Sequence, residues 1–160
     1  MLFILGFFNV RAQDTSQRAY KVYAPDFTLE DTNHIKWNLA SLKGKVVVLN
    51  FWFTLCKPCI REIPELNEIK ALYNPNSVVF LALSFDDKYK IESFLKQHEF
   101  KFQILPNSRG VNRLYRVDLY PTTIIIDREG FIRKRIPASN SIRNILATEI
   151  DKAFFREMKD

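Results

Sequence analysis

The chain has 160 residues, which fits one domain and is long enough to bury a core. Apolar residues make up 47% and Phe occurs 14 times, which excludes a disordered chain. The net charge of +6 comes from scattered Lys and Arg. Its densest cluster, Arg133-Lys134-Arg135, sits among apolar neighbours and reads as a solvated strand face, so nothing calls for nucleic acid.

Residues 1–12 stand apart. Leu2 to Phe8 form an apolar run, and Val10-Arg11-Ala12 resembles a small-x-small cleavage site. They read as a signal segment, truncated because a basic start is missing. A membrane span would need about 20 apolar residues. Residues 13–22 read as a flexible mature start, and 23–158 as one domain. The expected location is outside the cytoplasm, in the periplasm or cell envelope.

Residues 24–29 and 35–39 alternate apolar and polar side chains around Asp31-Thr32-Asn33, which predicts a β-hairpin. The continuous run 46–52 predicts a strand buried on both faces. Ile60, Ile63, Leu66, Ile69 and Leu72 then recur at helical spacing, and Pro64 predicts a kink. Residues 78–83 predict a second buried strand, and Asp86 or Asp87 caps a helix carrying Ile91, Phe94 and Leu95. Residues 102–105 suggest an edge strand, and 111–115 a short helix. Ile124-Ile125-Ile126 reads as the third buried strand, 131–136 as its hairpin partner, and Ser139 or Asn140 as the cap of a last helix. This order predicts a three-layer α/β domain with a mixed central sheet flanked by helices.

The only two cysteines, Cys56 and Cys59, sit where the first buried strand hands over to a helix. Two thiolates cannot complete a tetrahedral metal site, so the pair points to redox chemistry. At a helix start the unsatisfied N–H groups and the dipole favour a thiolate, lowering such pKa values to ~3.5–7.5 from about 8.5. Lys57 adds charge and Pro58 suits the first turn. Cys56 is the expected nucleophile. Cys59, one turn deeper, is the resolving thiol. Glu62, three residues further on, is either the base for Cys59 or a solvated first-turn carboxylate.

The segment from Asn50 to Pro64, with Trp52 and Cys56-Lys57-Pro58-Cys59, closely resembles the active site of TlpA/ResA-like thioredoxin-fold disulfide reductases. The lead-in at 24–29 and 42–46 resembles the hairpin these share with redoxins, and Tyr120-Pro121-Thr122-Thr123 resembles their cis-proline loop. The resemblance implies a thioredoxin-like fold with an N-terminal β-hairpin and a helix–strand insertion before that loop. It further implies a cis peptide before Pro121 and substrate contacts from Trp52, Lys57, Pro58, Tyr120, Pro121 and Thr122. Family members are acidic at the position of Glu62. Many thioredoxins bury an Asp where this chain has Asn50, which cannot act as a base, and Leu55 stands where a Trp usually precedes the first cysteine.

The implied activity is thiol–disulfide exchange with protein thiols and disulfides, without cofactor or metal, by a monomer. An apocytochrome c is one partner class, and a membrane thiol reductase one electron donor. Two alternatives are a peroxiredoxin and a copper-binding redoxin-fold chaperone. The first wants a Thr three residues before its cysteine, whereas Thr54 lies two before. The second wants wider cysteine spacing and a suitable His, and neither His34 nor His98 fits.

Overall fold

The computed structural model describes residues 22–155. The segments read as signal (1–12) and all but the last residue of the flexible start (13–22) lie outside these. Val22 itself is in a strand.

Among the described residues, eight strands and four helices follow in chain order: β1 (Val22–Tyr23), β2 (Thr28–Glu30), β3 (Lys36–Asn38), β4 (Val46–Trp52), α1 (Lys57–Ala71), β5 (Val78–Ser84), α2 (Lys88–Leu95), β6 (Gln103–Leu105), α3 (Arg109–Leu114), β7 (Thr122–Ile126), β8 (Phe131–Pro137) and α4 (Ile142–Phe155), with a 3-10 turn at Ala40–Leu42. Six strands form one mixed sheet in the order β1-β8-β7-β4-β5-β6, and β2 pairs with β3 as a separate hairpin. β5 runs parallel to both β4 and β6, while β7 is antiparallel to β4 and β8.

Every residue of β4 and β5 is buried, because the sheet is covered on both sides. Val46, Val48 and Trp52 pack on one side with residues of α1, α2 and α4. Val47, Leu49 and Phe51 pack on the other with α3 and with Phe27 and Leu39 of the hairpin region. The alternation of strand side chains divides one apolar run between two cores.

Several boundaries differ from expectation. The lead-in strand starts at Thr28 rather than residue 24, because the Asp26 carboxylate accepts from Ala40 N and Asn38 Nδ2, holding that stretch as a loop. In α1, Ile63, Leu66 and Ile69 are buried but Leu72 is 61% exposed. A three-residue repeat falls behind the helical turn by about 60° per step, so five such positions cannot share a face. The helix continues past Pro64, where the kink is expected, to Ala71. Of the two candidate caps of α2, Asp87 takes the role, accepting from Lys90 N at 2.9 Å. Helix α4 begins at Ile142, so neither Ser139 nor Asn140 occupies its cap: the Ser141 carbonyl accepts Ile145 N, and Glu65 of α1 accepts Arg143 N.

Candidate active site

Strand β4 ends at Trp52 and the chain turns sharply through residues 53–56, closed by Cys56 N donating to Phe53 O at 3.1 Å. Cys56 is the N-cap of α1, with extended backbone (φ −77°, ψ 95°), and its sulfur accepts from Cys59 N at 3.2 Å. A cysteine sulfur thus occupies the place usually held by a Ser or Asp oxygen, beside the orphan N–H groups of a helix start. Pro58 sits in the first turn, where no N–H is needed. Cys56 and Cys59 are joined as a disulfide with Cα atoms 5.2 Å apart. Both are almost enclosed, at 4% and 3% exposure, so a partner reaches them only from the rim.

Glu62 lies three residues along the same helix from Cys59 and is 95% buried (5% exposed). Burial raises its carboxyl pKa from 4.5 to about 7, against the opposing bond from Ser139 N. That N–H reaches Oε1 at 2.6 Å, while Oε2 is buried without a hydrogen-bond partner. Glu62 also lines a cavity of about 410 Å³ between Pro58 and Arg61 on one side and Ala138 and Asn140 on the other. Of the two readings of Glu62, a solvated first-turn carboxylate does not fit this placement. A carboxyl poised near neutrality does.

The Tyr120–Pro121 peptide is cis. Its loop meets the 53–56 turn through aromatic rings: Phe53 stacks on Phe85 at 5.0 Å, and Tyr120 meets both edge-on at 5.4 and 5.5 Å. Leu55 and Leu119 flank this cluster and are strongly exposed (85% and 77%). Lys57 is exposed, Pro58 and Thr122 are half-buried, and Thr122 Oγ1 donates to Leu119 O. Asn50 is buried and donates to Thr123 Oγ1 at 2.9 Å across the β4–β7 pair, a structural role.

Trp52 does not belong with the substrate contacts. It is fully enclosed, with its ring 5.2 Å from both Phe94 and Phe100, so no partner can touch it. Its position in β4 has the same parity as Val46 and Val48, which places it under the helices rather than at the rim.

The sequence offers no signal for Asn112, and it suggests Asp86 and Ser139 only as helix caps. Asp86 was offered as a helix cap, but its carboxylate accepts from Thr54 N at 2.7 Å and from Thr54 Oγ1 at 2.8 Å, gripping the turn before Cys56. Asn112 donates to the Tyr120 hydroxyl at 2.8 Å. The one available signal was the pair Asp86-Asp87, which supplies one carboxylate more than a cap requires.

Residues 21–135 match the model of the AhpC/TSA family. A ResA thiol-disulfide oxidoreductase of Bacillus cereus is 36% identical over 115 residues, which are 71% of this chain and 66% of that protein, just under two thirds of its length. Among solved structures, a DsbE-type thiol:disulfide interchange protein of Chlorobium tepidum superposes with a TM-score of 0.76 at 28% identity, over 83% of this chain and 96% of that one. The exposed lipoprotein thioredoxin Etrx1 of Streptococcus pneumoniae gives 0.66 at 28% identity, over 79% and 99%. The fold is thioredoxin-like, with α2, β6 and α3 between β5 and the cis-proline loop, and the chain belongs to the AhpC/TSA family, among relatives of the ResA type.

Proposed function

We propose that this protein is a thiol–disulfide oxidoreductase that reduces disulfides in protein partners, with Cys56 as nucleophile, Cys59 as resolving thiol and Glu62 as proton carrier. The observation that carries it is the placement of all three at the start of α1, Cys56 as its N-cap and Cys59 and Glu62 on its first two turns, with the glutamate buried and its pKa near 7. In the reduced protein the Cys56 thiolate attacks a partner disulfide, forming a mixed disulfide and releasing one partner thiolate, which takes a proton. Glu62 as carboxylate accepts the Cys59 proton. The new thiolate attacks Cys56 Sγ, forming the Cys56–Cys59 bond and releasing the second partner thiolate, which takes up the proton that Glu62 gives back. Two electrons pass to the partner, and an upstream dithiol donor restores the protein.

Lys57, Pro58, Tyr120, Pro121 and Thr122 are the proposed substrate contacts: Lys57 and Pro58 lie between the two cysteines, and Tyr120, before the cis proline, packs on Phe53 of the turn that leads to Cys56. We place the protein outside the cytoplasm, by the apolar start of the chain and the pneumococcal lipoprotein's likeness. An apocytochrome c fits as one partner and a membrane thiol reductase as donor, with the chain acting as a monomer. The proposed domain, read from the sequence as 23–158 after a signal segment, takes in Val22 as well, since that residue pairs with Ile132.

The deciding experiment gives the reduced protein either an insulin disulfide or hydrogen peroxide. Insulin reduction that outpaces peroxide consumption supports the reading. The reverse makes the protein a thiol peroxidase, and copper-loaded protein inert to both makes it a chaperone.

A further inference from the structure

Four buried polar side chains have no part in the chemistry above. Ser84 and Ser108 are 0% exposed, Asn112 is 4% and Asp86 is 8%. Hydrogen bonds of their side chains and of the backbone between them link into one chain. Thr54 donates twice to Asp86 Oδ2, and Asp86 N donates to Ser84 Oγ at 3.2 Å. Ser108 N donates to Ser84 O, and Asn107 N to Asp86 O, both at 2.9 Å. Ser108 Oγ then donates to Asn112 Oδ1 at 2.7 Å, and Asn112 Nδ2 to the Tyr120 hydroxyl. The chain begins two residues before Cys56 and ends at the residue before Pro121. It crosses the loops after β4, β5 and β6, which otherwise have no covalent reason to keep a fixed spacing.

We propose that this buried chain sets the nucleophile turn against the cis-proline loop, making Asp86 and Asn112 positioning residues for the docking of a partner peptide. The proposal rests on the oxidoreductase reading. Apolar side chains could fill the same space without leaving buried polar groups to satisfy, but only directional bonds fix distance and angle between loops. Attack on a disulfide needs the sulfurs in line and the partner backbone seated, so a small displacement between turn and loop costs rate. The phenolic bond leaves the Tyr120 ring seated against Phe53 and Phe85. Loss of Asn112 therefore frees the loop without removing the surface. The left-handed backbone of Asn107 (φ 58°), which Asn tolerates well, aims its N–H at the Asp86 carbonyl.

The test is a double-mutant cycle in the reduced full chain, with rates measured against a peptide containing one internal disulfide and against 2,2′-dithiodipyridine. Asp86→Ala and Asn112→Ala should each slow the peptide reaction about tenfold. Their combination should slow it by about 10–20-fold rather than 100-fold, because the chain acts as a unit. The small disulfide, which needs no docking, should change by less than about threefold in each variant. Asp86→Asn keeps an oxygen able to accept both Thr54 bonds and should stay within about threefold of wild type. Near-UV circular dichroism reports folding, and Thr54→Val replaces Asp86→Ala in the cycle if that variant does not fold. Effects that multiply to about 100-fold, single variants at the wild-type peptide rate, or equal slowing of both disulfides overturn the proposal alone. A wild-type protein that reacts with neither disulfide overturns the oxidoreductase reading and this inference with it.

Discussion

Ser139 N–H donates to Glu62 Oε1 at 2.6 Å, joining the loop after β8 to the second turn of α1. That bond stabilises the carboxylate, yet burial outweighs it and pushes the pKa up from 4.5 to about 7. A carboxyl so placed can accept a proton and return it at neutral pH. It is the feature from which most of the mechanism follows.

Glu62→Gln keeps the shape and removes the base. Resolution of a mixed disulfide by Cys59 should slow by about 10²-fold or more, while first attack by Cys56 changes far less. Stopped-flow traces with a model disulfide separate the two steps. The wild-type resolution rate should climb with pH and level off above about 7. A Gln variant resolving at the wild-type rate would hand the role to water.

The same carboxyl makes the oxidised protein's stability depend on pH. Its folded pKa lies above its unfolded value, so the folded state binds more protons between about 4.5 and about 7. Its contribution is complete below pH 4.5 and declines across that window, by up to about 3 kcal/mol at 1.36 kcal/mol per unit. Denaturant midpoints of wild type should fall between pH 5 and 8 relative to those of Glu62→Gln. Parallel curves for the two proteins would contradict this.

Much of the fold was legible because its central strands are covered on both faces and therefore read as continuous apolar runs, as at 46–52 and 78–83. The C-x-x-C was legible from its position between such a strand and a helix. Strand β1 was not, since two exposed residues, Val22 and Tyr23, become a strand only by pairing with Ile132 and Phe131. The resemblance alone put Trp52 among the substrate contacts, although its strand parity points inward. Asp86 and Ser139 were out of reach, because their partners Thr54 and Glu62 lie 32 and 77 residues away.

Asp31 is a buried carboxylate that ties the β2–β3 hairpin to the sheet edge, accepting from Asn33 N, Ile35 N, Trp37 Nε1 and Gln103 Nε2. Burial alone pushes its pKa up, but the bonds from Trp37 and from the Ile35 and Asn33 N–H groups hold it below the ordinary value of 3.8. Its contribution is present above pH 3.8 and lost as pH falls through the lower folded value. Asp31→Ala orphans several donors at once and should cost about 2–4 kcal/mol at pH 7, read from urea denaturation. A loss under about 0.5 kcal/mol would show that water replaces the carboxylate.

Lys57 is exposed at the first position of α1, beside Cys56. Lys57→Glu reverses a charge near the sulfur, so the thiolate titration should move up and the reduction potential become more negative. Thiolate absorbance against pH measures the first, and equilibration with a dithiol buffer the second. An unchanged titration would mean that solvent screens the ammonium completely.

Trapping a mixed disulfide decides which cysteine attacks first. The Cys59→Ser and Cys56→Ser variants are each mixed with a disulfide-bonded partner protein and run on a non-reducing gel. Cys56 caps α1 and Cys59 lies one turn deeper, so Cys59→Ser should hold the partner as a stable mixed disulfide while Cys56→Ser traps nothing and turns over nothing. A mixed disulfide accumulating on Cys56→Ser instead, with none on Cys59→Ser, would contradict the assignment.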